Sequence, residues 1–586
     1  MESAPLRYLG KRQRYELLRS QLDTEFNSFL SQYRDLNDFI LPSRGRFFIT
    51  DVNKGDRRNL KIYDNTAYMA ARTLSSGMMA GVTSPARGWY KLTTPDPDLA
   101  ENGAVKQWLH VVTQRMSTLF QRSNLYNVLP NLYGDLGVFG TSAMLMEEDF
   151  QRTSRFYSFP TGTYRIAKDM NGRVNVFYRE FRMTVRQVVE MFGERDAKTG
   201  AAKWDNISKH VKALWDQGNY EVWVDICHVI EPNERWNPNK PDAKFKKFSS
   251  CYYERGTTGK TGTGNNGIGT DDSLFLRESG YDYFPVLCPR WQVTGQDVYG
   301  TDCPGMVALG DIKQLQHGEK RGAQALDKIV NPPMVAPTSL ITSKASIISG
   351  DITYVDDREG GFRPAHDMRI SLQELELKQD SIRNRIKRAF FEDLFLMLAS
   401  SDRRDFTATE ILERKEEKLL AVGPVLEQLN QDVLDPLIDN QFYLMQRQGL
   451  LPPAPEELQG MDLKVEYISV MSQAQKLVGV GGIERLMNFS AGVIKMNPAS
   501  ADKIDFDQMI DEYAEAVGTS PRLVRPDEQV DEIRAEHQKQ MQQQALAQNV
   551  QAGSAAAKNL SQANLDGNNA LTKLMDSMGK AQEQNG

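Results

Sequence analysis

YGTDCPGMVALGDIKQLQHGEKRGAQALDKIV (299–330), then NPPMVAPTSLITSKASIISGDITYVDDREGGFRPAHDMRI (331–370), then a second helical run from Ser371, decides the fold. The first segment reads as a helix and the second as a compact extended segment. The third carries a start signal: Ser371 and Glu374 fit the S-x-x-E capping box, in which each side chain satisfies a backbone N–H left unpaired at a helix start. Apolar residues then recur at helical spacing, at Leu372, Leu375, Ile382, Ile386, Ala389, Phe390, Leu394 and Leu398. The run stops near Ala399, and a second capping box, Thr407 with Glu410, restarts a helix. Between them lies the small, charged ASSDRRDF. A helix of about 25 residues spans roughly 37 Å. Two such helices around a β-rich segment make a stalk with a knob at one end, with too little apolar surface to stand alone. Gly310, Gly318 and Gly322 fall on nearby turns of the first helix, and each costs about 1 kcal/mol relative to Ala. Close approach by a neighbouring helix is one reason to tolerate them. A weak helix held by its surroundings is the other.

The chain has 586 residues, enough for several domains, and a formal net charge of −6. That charge argues against a nucleic-acid coat protein, which is usually strongly basic, but not against a protein that lets DNA pass without holding it. Apolar runs fall far short of the ~18 residues of a membrane span, and the N-terminal stretch shows no signal-peptide core. The expectation is therefore no membrane. Cys227, Cys251, Cys288 and Cys303 form no C-x-x-C pair and read as reduced thiols. The six histidines are scattered, and neither they nor the cysteines show zinc spacing. No cofactor is expected.

Residues 10–40 read as an amphipathic helix, with Leu17, Leu18, Leu22, Phe26, Phe29, Leu30, Tyr33, Leu36 and Ile40 on one side. The arginines of SRGRFF and KGDRRNLK that follow read as a solvated surface. Residues 64–92 give a helix rich in small residues and methionine, a Gly/Pro turn and a strand; residues 104–133 give one further helix. From about 140 to 304 the pattern is mixed α+β, with strands at 173–181, 220–230 and 247–254 and a helix near 184–193. RGTTGKTGTGNNGIGT (255–270) matches G-x-G-x-x-G literally, but no apolar helix follows to hold phosphate, so it reads as a hairpin loop. A helical segment at 408–448 is expected to break at Gly423–Pro424 and bend near Pro436; 462–470 is a strand returning to the α+β region. Residues 472–517 read as helical around a glycine turn at 479–482, and HQKQMQQQALAQ could be helical at the start of a polar tail that otherwise lacks a core.

Four stretches, DFILPSRGRFF (38–48), LSSGMMAGVTSPARGWYKL (74–92), YGTDCPGMVALGDIKQLQ (299–316) and NPPMVAP (331–337), occur in the order seen in the head-to-tail connector, or portal, proteins of short-tailed bacteriophages. The chain resembles that family over roughly residues 10–530. The resemblance implies a mainly α, α+β portal fold assembled as a homo-oligomeric ring, a dodecamer in the family's pattern, at one capsid vertex. In family order, 1–300 is the wing, 301–330 the first stem helix, 331–370 the clip, 371–398 the second stem helix and 399–407 the tunnel loop. A long kinked helix and return strand occupy 408–470, the crown 471–535 and the tail 536–586.

The partners implied are the terminase large subunit at the clip, tail adaptor proteins, capsid and scaffolding proteins, and double-stranded DNA passing without sequence specificity. The tunnel-loop residues are Ser400, Ser401, Asp402, Arg403, Arg404 and Asp405. Candidate channel-lining bases are Lys313, Lys320, Arg321 and Lys328 on the first stem helix, and Lys378, Arg383, Arg385, Lys387 and Arg388 on the second. The competing reading pairs these bases with Glu374, Glu376, Asp380 and Glu392 on neighbouring helices. A packaging-motor enzyme would need the nucleotide site that is lacking here. A non-portal virion adaptor or scaffold would not need two long helices around a knob.

Overall fold

The computed structural model describes residues 10–48, 57–96, 102–195, 202–256, 275–330, 334–335, 363–364, 372–399, 422–458, 463–467, 486–496, 503–517 and 530–544, apart from single positions within them. The chain divides into two units, Met1–Ile504 and Asp505–Gly586.

In the first unit, α1 (Lys11–Phe39) buries Leu22, Phe26, Tyr33 and Leu36 at helical spacing. Leu17, expected on the same face, is 40% exposed, so the buried stripe is narrower than the sequence suggests. α2 (Thr66–Gly81) buries its small residues Ala67, Ala70, Ala71 and Ser75, and leads through a turn into β1 (Tyr90–Thr93). The expected single helix at 104–133 is two, α3 (Gly103–Arg122) and α4 (Leu125–Phe139). The break has a local cause. The Asn124 amide donates to the Phe156 carbonyl at 2.7 Å and accepts from the Phe156 N–H at 2.9 Å, so it serves a strand rather than a helix.

The strands follow: β2 (Ala143–Asp149), β3 (Thr153–Phe159), β4 (Tyr164–Lys168) and β5 (Val174–Thr184). Next come the short α5 (Val185–Phe192) and α6 (Lys209–Asp216), then β6 (Trp223–Pro232), β7 (Phe248–Glu254), β8 (Arg277–Tyr281) and β9 (Val286–Leu287). α5 starts at a complete capping box, with Thr184 and Gln187 bonding each other's backbone. β8, β7, β6, β5 and β4 form one antiparallel sheet in that order, and β9, β2 and β3 another. β7 and β8 pair directly, so the glycine-rich stretch joins two hairpin strands, as expected; residues 257–274 lie outside the described residues.

α7 (Pro304–Val330) runs the whole length of the first long helix. β10 (Met334–Val335) and β11 (Arg363–Pro364) pair antiparallel beyond it; the rest of 331–371, including Ser371, is outside the described residues. The run from 372 is helical but is not one helix: α8 (Leu372–Ala389) stops, Phe391 adopts φ +55°, and α9 (Glu392–Ala399) resumes. A positive φ at a bulky residue is uncommon. Here Phe391 stacks on Trp291 with ring centroids 6.3 Å apart, and the change of direction lets Phe390, Leu394 and Phe395 all reach the core.

Residues 422–429 are helical, with Gly423 and Pro424 in the first described turn; residues 400–421, which would show whether the chain breaks there, lie outside the described residues. The expected bend near Pro436 is a π-helical turn at Asn430–Leu434, after which α10 (Asp435–Arg447) starts with Pro436 in its first turn. Proline, which lacks a backbone N–H, is tolerated in the first turn of a helix. The return strand β12 (Lys464–Tyr467) pairs with β1, Tyr90 opposite Tyr467, rather than with the larger sheets. In the second unit, α11 (Phe506–Val517) is tied by Asp507 to Arg534, at 2.6 and 2.9 Å. The Gln-rich stretch is helical to residue 544.

Candidate functional site

α7 and α8 pack as an antiparallel hairpin, because Asp311 faces Arg385, Gly318 faces Gln379, and Gly322 faces Leu375 and Gln379. The glycines on α7 therefore divide. A Cβ on Gly322 would lie 3.2 Å from Leu375 Cδ2, whereas Gly310 has no heavy atom within 4 Å of such a Cβ. Close helix approach accounts for Gly322 within the chain itself; Gly310 is open.

The hairpin is anchored to the loop before α2. Gln316, 3% exposed, accepts from the Tyr63 and Asp64 N–H groups at 2.6 and 2.9 Å and donates to the Asp64 carbonyl at 2.7 Å. Arg383 reaches over from α8 to Asp64 at 2.8 Å, to Asp380 at 2.6 Å and to Glu319. Burial works against the Asp64 carboxylate, but hydrogen bonds from Thr66 and Arg383 outweigh it and hold its pKa below the usual value. The bond to Asp64 in turn holds the Arg383 pKa up. One loop carboxylate thus ties α2, α7 and α8 together.

The sign of this coupling gives a test. A carboxylate with a depressed folded pKa contributes stability that is present above its unfolded pKa, about 3.9, and is lost as pH falls through the folded value. Asp64→Asn is expected to be less stable than the parent at pH 7, and the difference should shrink below about pH 4 and vanish at lower pH. Urea midpoints across that range measure it. A difference that stays constant with pH would show that the Asp64 charge contributes nothing.

The nine candidate bases separate. Lys313 is bound to Asp35 of α1 at 2.6 Å, Arg385 to Asp311 at 2.7 Å, and Arg383 as described. Lys320 lies 5.7 Å from the Tyr63 ring centroid. Arg321, Lys328, Lys378, Lys387 and Arg388 are exposed and make no ion pair among the described residues. Of the carboxylates weighed as partners, Asp380 takes part in these pairs among the described residues; Asp35, Asp64, Asp311 and Glu319 take the others. Before α2 the Asp64 side chain accepts from the Thr66 N–H at 2.7 Å, a local turn contact. Its long-range partner had no sequence signature. Ser400, Ser401, Asp402, Arg403, Arg404 and Asp405, with Thr407 and Glu410, lie outside the described residues.

The 38–48 motif also has a structural role. Arg44 is not a solvated arginine: its Nε lies 2.8 Å from both carboxylate oxygens of Asp135, which is 1% exposed, and its Nη2 donates to Ser158. Burial still pushes the Asp135 pKa up in spite of the guanidinium. All four cysteines are buried and unpaired. Among the described residues, no helix is long and apolar enough to cross a membrane.

The profile of the family described as bacteriophage head to tail connecting protein matches residues 12–524. The chain belongs to this family. The portal protein of Salmonella phage epsilon15 is 46% identical over 567 residues, covering 96% of this chain and 98% of that protein. The probable portal protein of Bordetella phage BPP-1 is 41% identical over 556 residues, 94% of this chain and 96% of its own length. The match to this connector family begins one residue into α1 and runs past α11, so the helix hairpin, both sheets and the return strand all lie inside it.

Proposed function

We propose that the chain is one subunit of a closed homo-oligomeric ring, the portal at one capsid vertex, through which double-stranded DNA is packaged and later leaves into the tail. The observation that carries this reading is the α7–α8 hairpin within a connector-family chain. It is a long helix pair with a β-paired segment at its far end, packed on the body through its base and with no buried residue on α7 from His317 to Val330. Such a stave finds further partners in copies of itself, and head-to-tail contacts close into a ring when the rotation closes. In this reading 301–330 (α7) and 371–398 (α8 with α9) are the stem, 331–370 is the clip that meets the terminase large subunit and then the tail adaptors, and 471–535 is the crown. The protein is structural and catalyses nothing.

DNA contact is electrostatic and weak in this account, since strong phosphate neutralisation would hold the duplex in place. The segment 399–407 is the tunnel loop, where Arg403 and Arg404 attract phosphate and Asp402 and Asp405 offset that attraction. Arg403→Ala with Arg404→Ala is expected to give normal rings and procapsids, but particles that fail to finish packaging or leak DNA after filling. Packaged DNA per particle is the measurement. Wild-type filling and retention would remove these arginines from the mechanism.

A further inference from the structure

We propose that the hairpin extension between β6 and β7, residues 233–247, docks an acidic protein segment that presents an apolar side chain. Trp236 is the anchor, and Arg235, Lys240 and Lys247 are the charged rim. Antiparallel strands commonly join through loops of about two to five residues. β6 and β7 pair directly, yet a much longer excursion joins them. Its backbone is held. The Asn233 N–H donates to the Lys247 carbonyl at 2.9 Å, and its Nδ2 donates to the Lys244 and Lys246 carbonyls, at 2.8 Å each. Its Oδ1 accepts from the Arg235 N–H at 3.0 Å. Further out, the Asn237 N–H donates to the Phe245 carbonyl at 2.9 Å. Pro232, Pro238 and Pro241 each fix a φ on the outgoing arm. An excursion already ordered in this way loses little further entropy when a partner docks.

The side chains on this backbone specify the partner. Trp236 is 56% exposed. Arg235, Lys240 and Lys247 are exposed and make no ion pair among the described residues, whereas Lys244 and Lys246 are paired with Glu278 and Asp282. Residues 233–247 hold five cations against two carboxylates, Glu234 and Asp242, on a chain whose net charge is −6. Glu234 is turned to Arg14, at 3.1 Å. A run of lysines alone would be a solvated loop. A tryptophan presented on an ordered turn is different, because Trp and Arg are the side chains in which interface energy concentrates. The unpaired cations around it complement carboxylates on the partner. A nucleic-acid duplex fits less well. Its phosphates run on without a gap and would meet exposed Asp242, two residues from Lys240, and along its length it offers Trp236 no base face. A protein segment with discrete carboxylates meets neither difficulty.

The test is fluorescence anisotropy of the full-length protein with a labelled synthetic helical peptide that carries leucines on one face and glutamates on the flanks. Trp236→Ala should weaken binding by about tenfold or more. Arg235→Gln, Lys240→Gln and Lys247→Gln together should do the same and flatten the salt dependence. Arg122→Gln with Arg152→Gln, exposed cations elsewhere on the first unit, should leave both unchanged. Failure of the parent to bind, equal loss in that control, or no loss with Trp236→Ala would overturn the assignment. So would tighter binding of an oligothymidylate that is lost with Trp236→Ala, because the ligand would then be a single strand. A lowered urea midpoint in Trp236→Ala would mean that the indole packs the hairpin and awaits no partner. A changed oligomer by native mass spectrometry in either hairpin variant would make the surface a contact between copies. Either result would contradict the proposal, and neither bears on whether the parent forms a ring.

Discussion

Arg290→Ala is expected to destabilise the first unit by about 3–5 kcal/mol, seen as a large fall in denaturant midpoint. Arg290 is 3% exposed and makes a two-pronged ion pair with Asp432, its Nε at 3.0 Å from one carboxylate oxygen and its Nη2 at 2.9 Å from the other. The same Nη2 donates to the Gly172 carbonyl at 2.9 Å, and Gln428 donates to Asp432 at 2.9 Å. This cluster fastens the π-helical turn Asn430–Leu434 to the strands on either side of Gly172. Truncating the arginine leaves a carboxylate of 8% exposure without its counter-charge, and that uncompensated charge dominates the cost. Arg290→Met combined with Asp432→Leu should recover most of the loss, since it removes both charges and keeps the volume. If the double variant is as unstable as the single one, the cost lies in packing and the argument from charge is wrong.

Gly77→Ala is the second large effect, and its sign is informative. Gly77 lies inside α2, where Ala would ordinarily gain about 1 kcal/mol. A Cβ there would sit 2.2 Å from the ring of Phe395 in α9, far inside van der Waals contact. Phe395 is 3% exposed and cannot swing into solvent without giving up its burial. The clash should win, with a net loss of about 1–3 kcal/mol. If 399–407 is the tunnel loop proposed above, displacing α9, which ends at Ala399, should also impair packaging. Adding Phe395→Ala should relieve the clash at Gly77 while leaving its own cavity. A stabilising Gly77→Ala would mean that α9 does not dock on α2.

The two long helical runs were legible because periodicity over a long amphipathic run is a strong local signal: Ile382, Ile386 and Phe390 are buried where that pattern puts them. The breaks were not legible. Asn124 ends α3 because it bonds a strand distant in sequence, and Phe391 ends α8 where Trp291 receives its ring. Both causes are tertiary. The return strand was read correctly as a strand, but pairing specificity resides in β1, and nothing in KVEY names YKLT as its partner. At the site, sequence supplied the bases and the structure separated them. Lys313, Arg383 and Arg385 look like Arg321, Lys328 and Arg388 in sequence. They differ in whether a carboxylate from α1, α7 or the loop before α2 comes within reach.

The claim beneath all of this is that the hairpin is a stave of a closed ring. Native mass spectrometry of the purified full-length protein at micromolar concentration tests it most directly. The account predicts one dominant closed oligomer, twelve subunits by family resemblance; a ring of eleven or thirteen would change the number and keep the claim. A spectrum holding only monomers and dimers would contradict it.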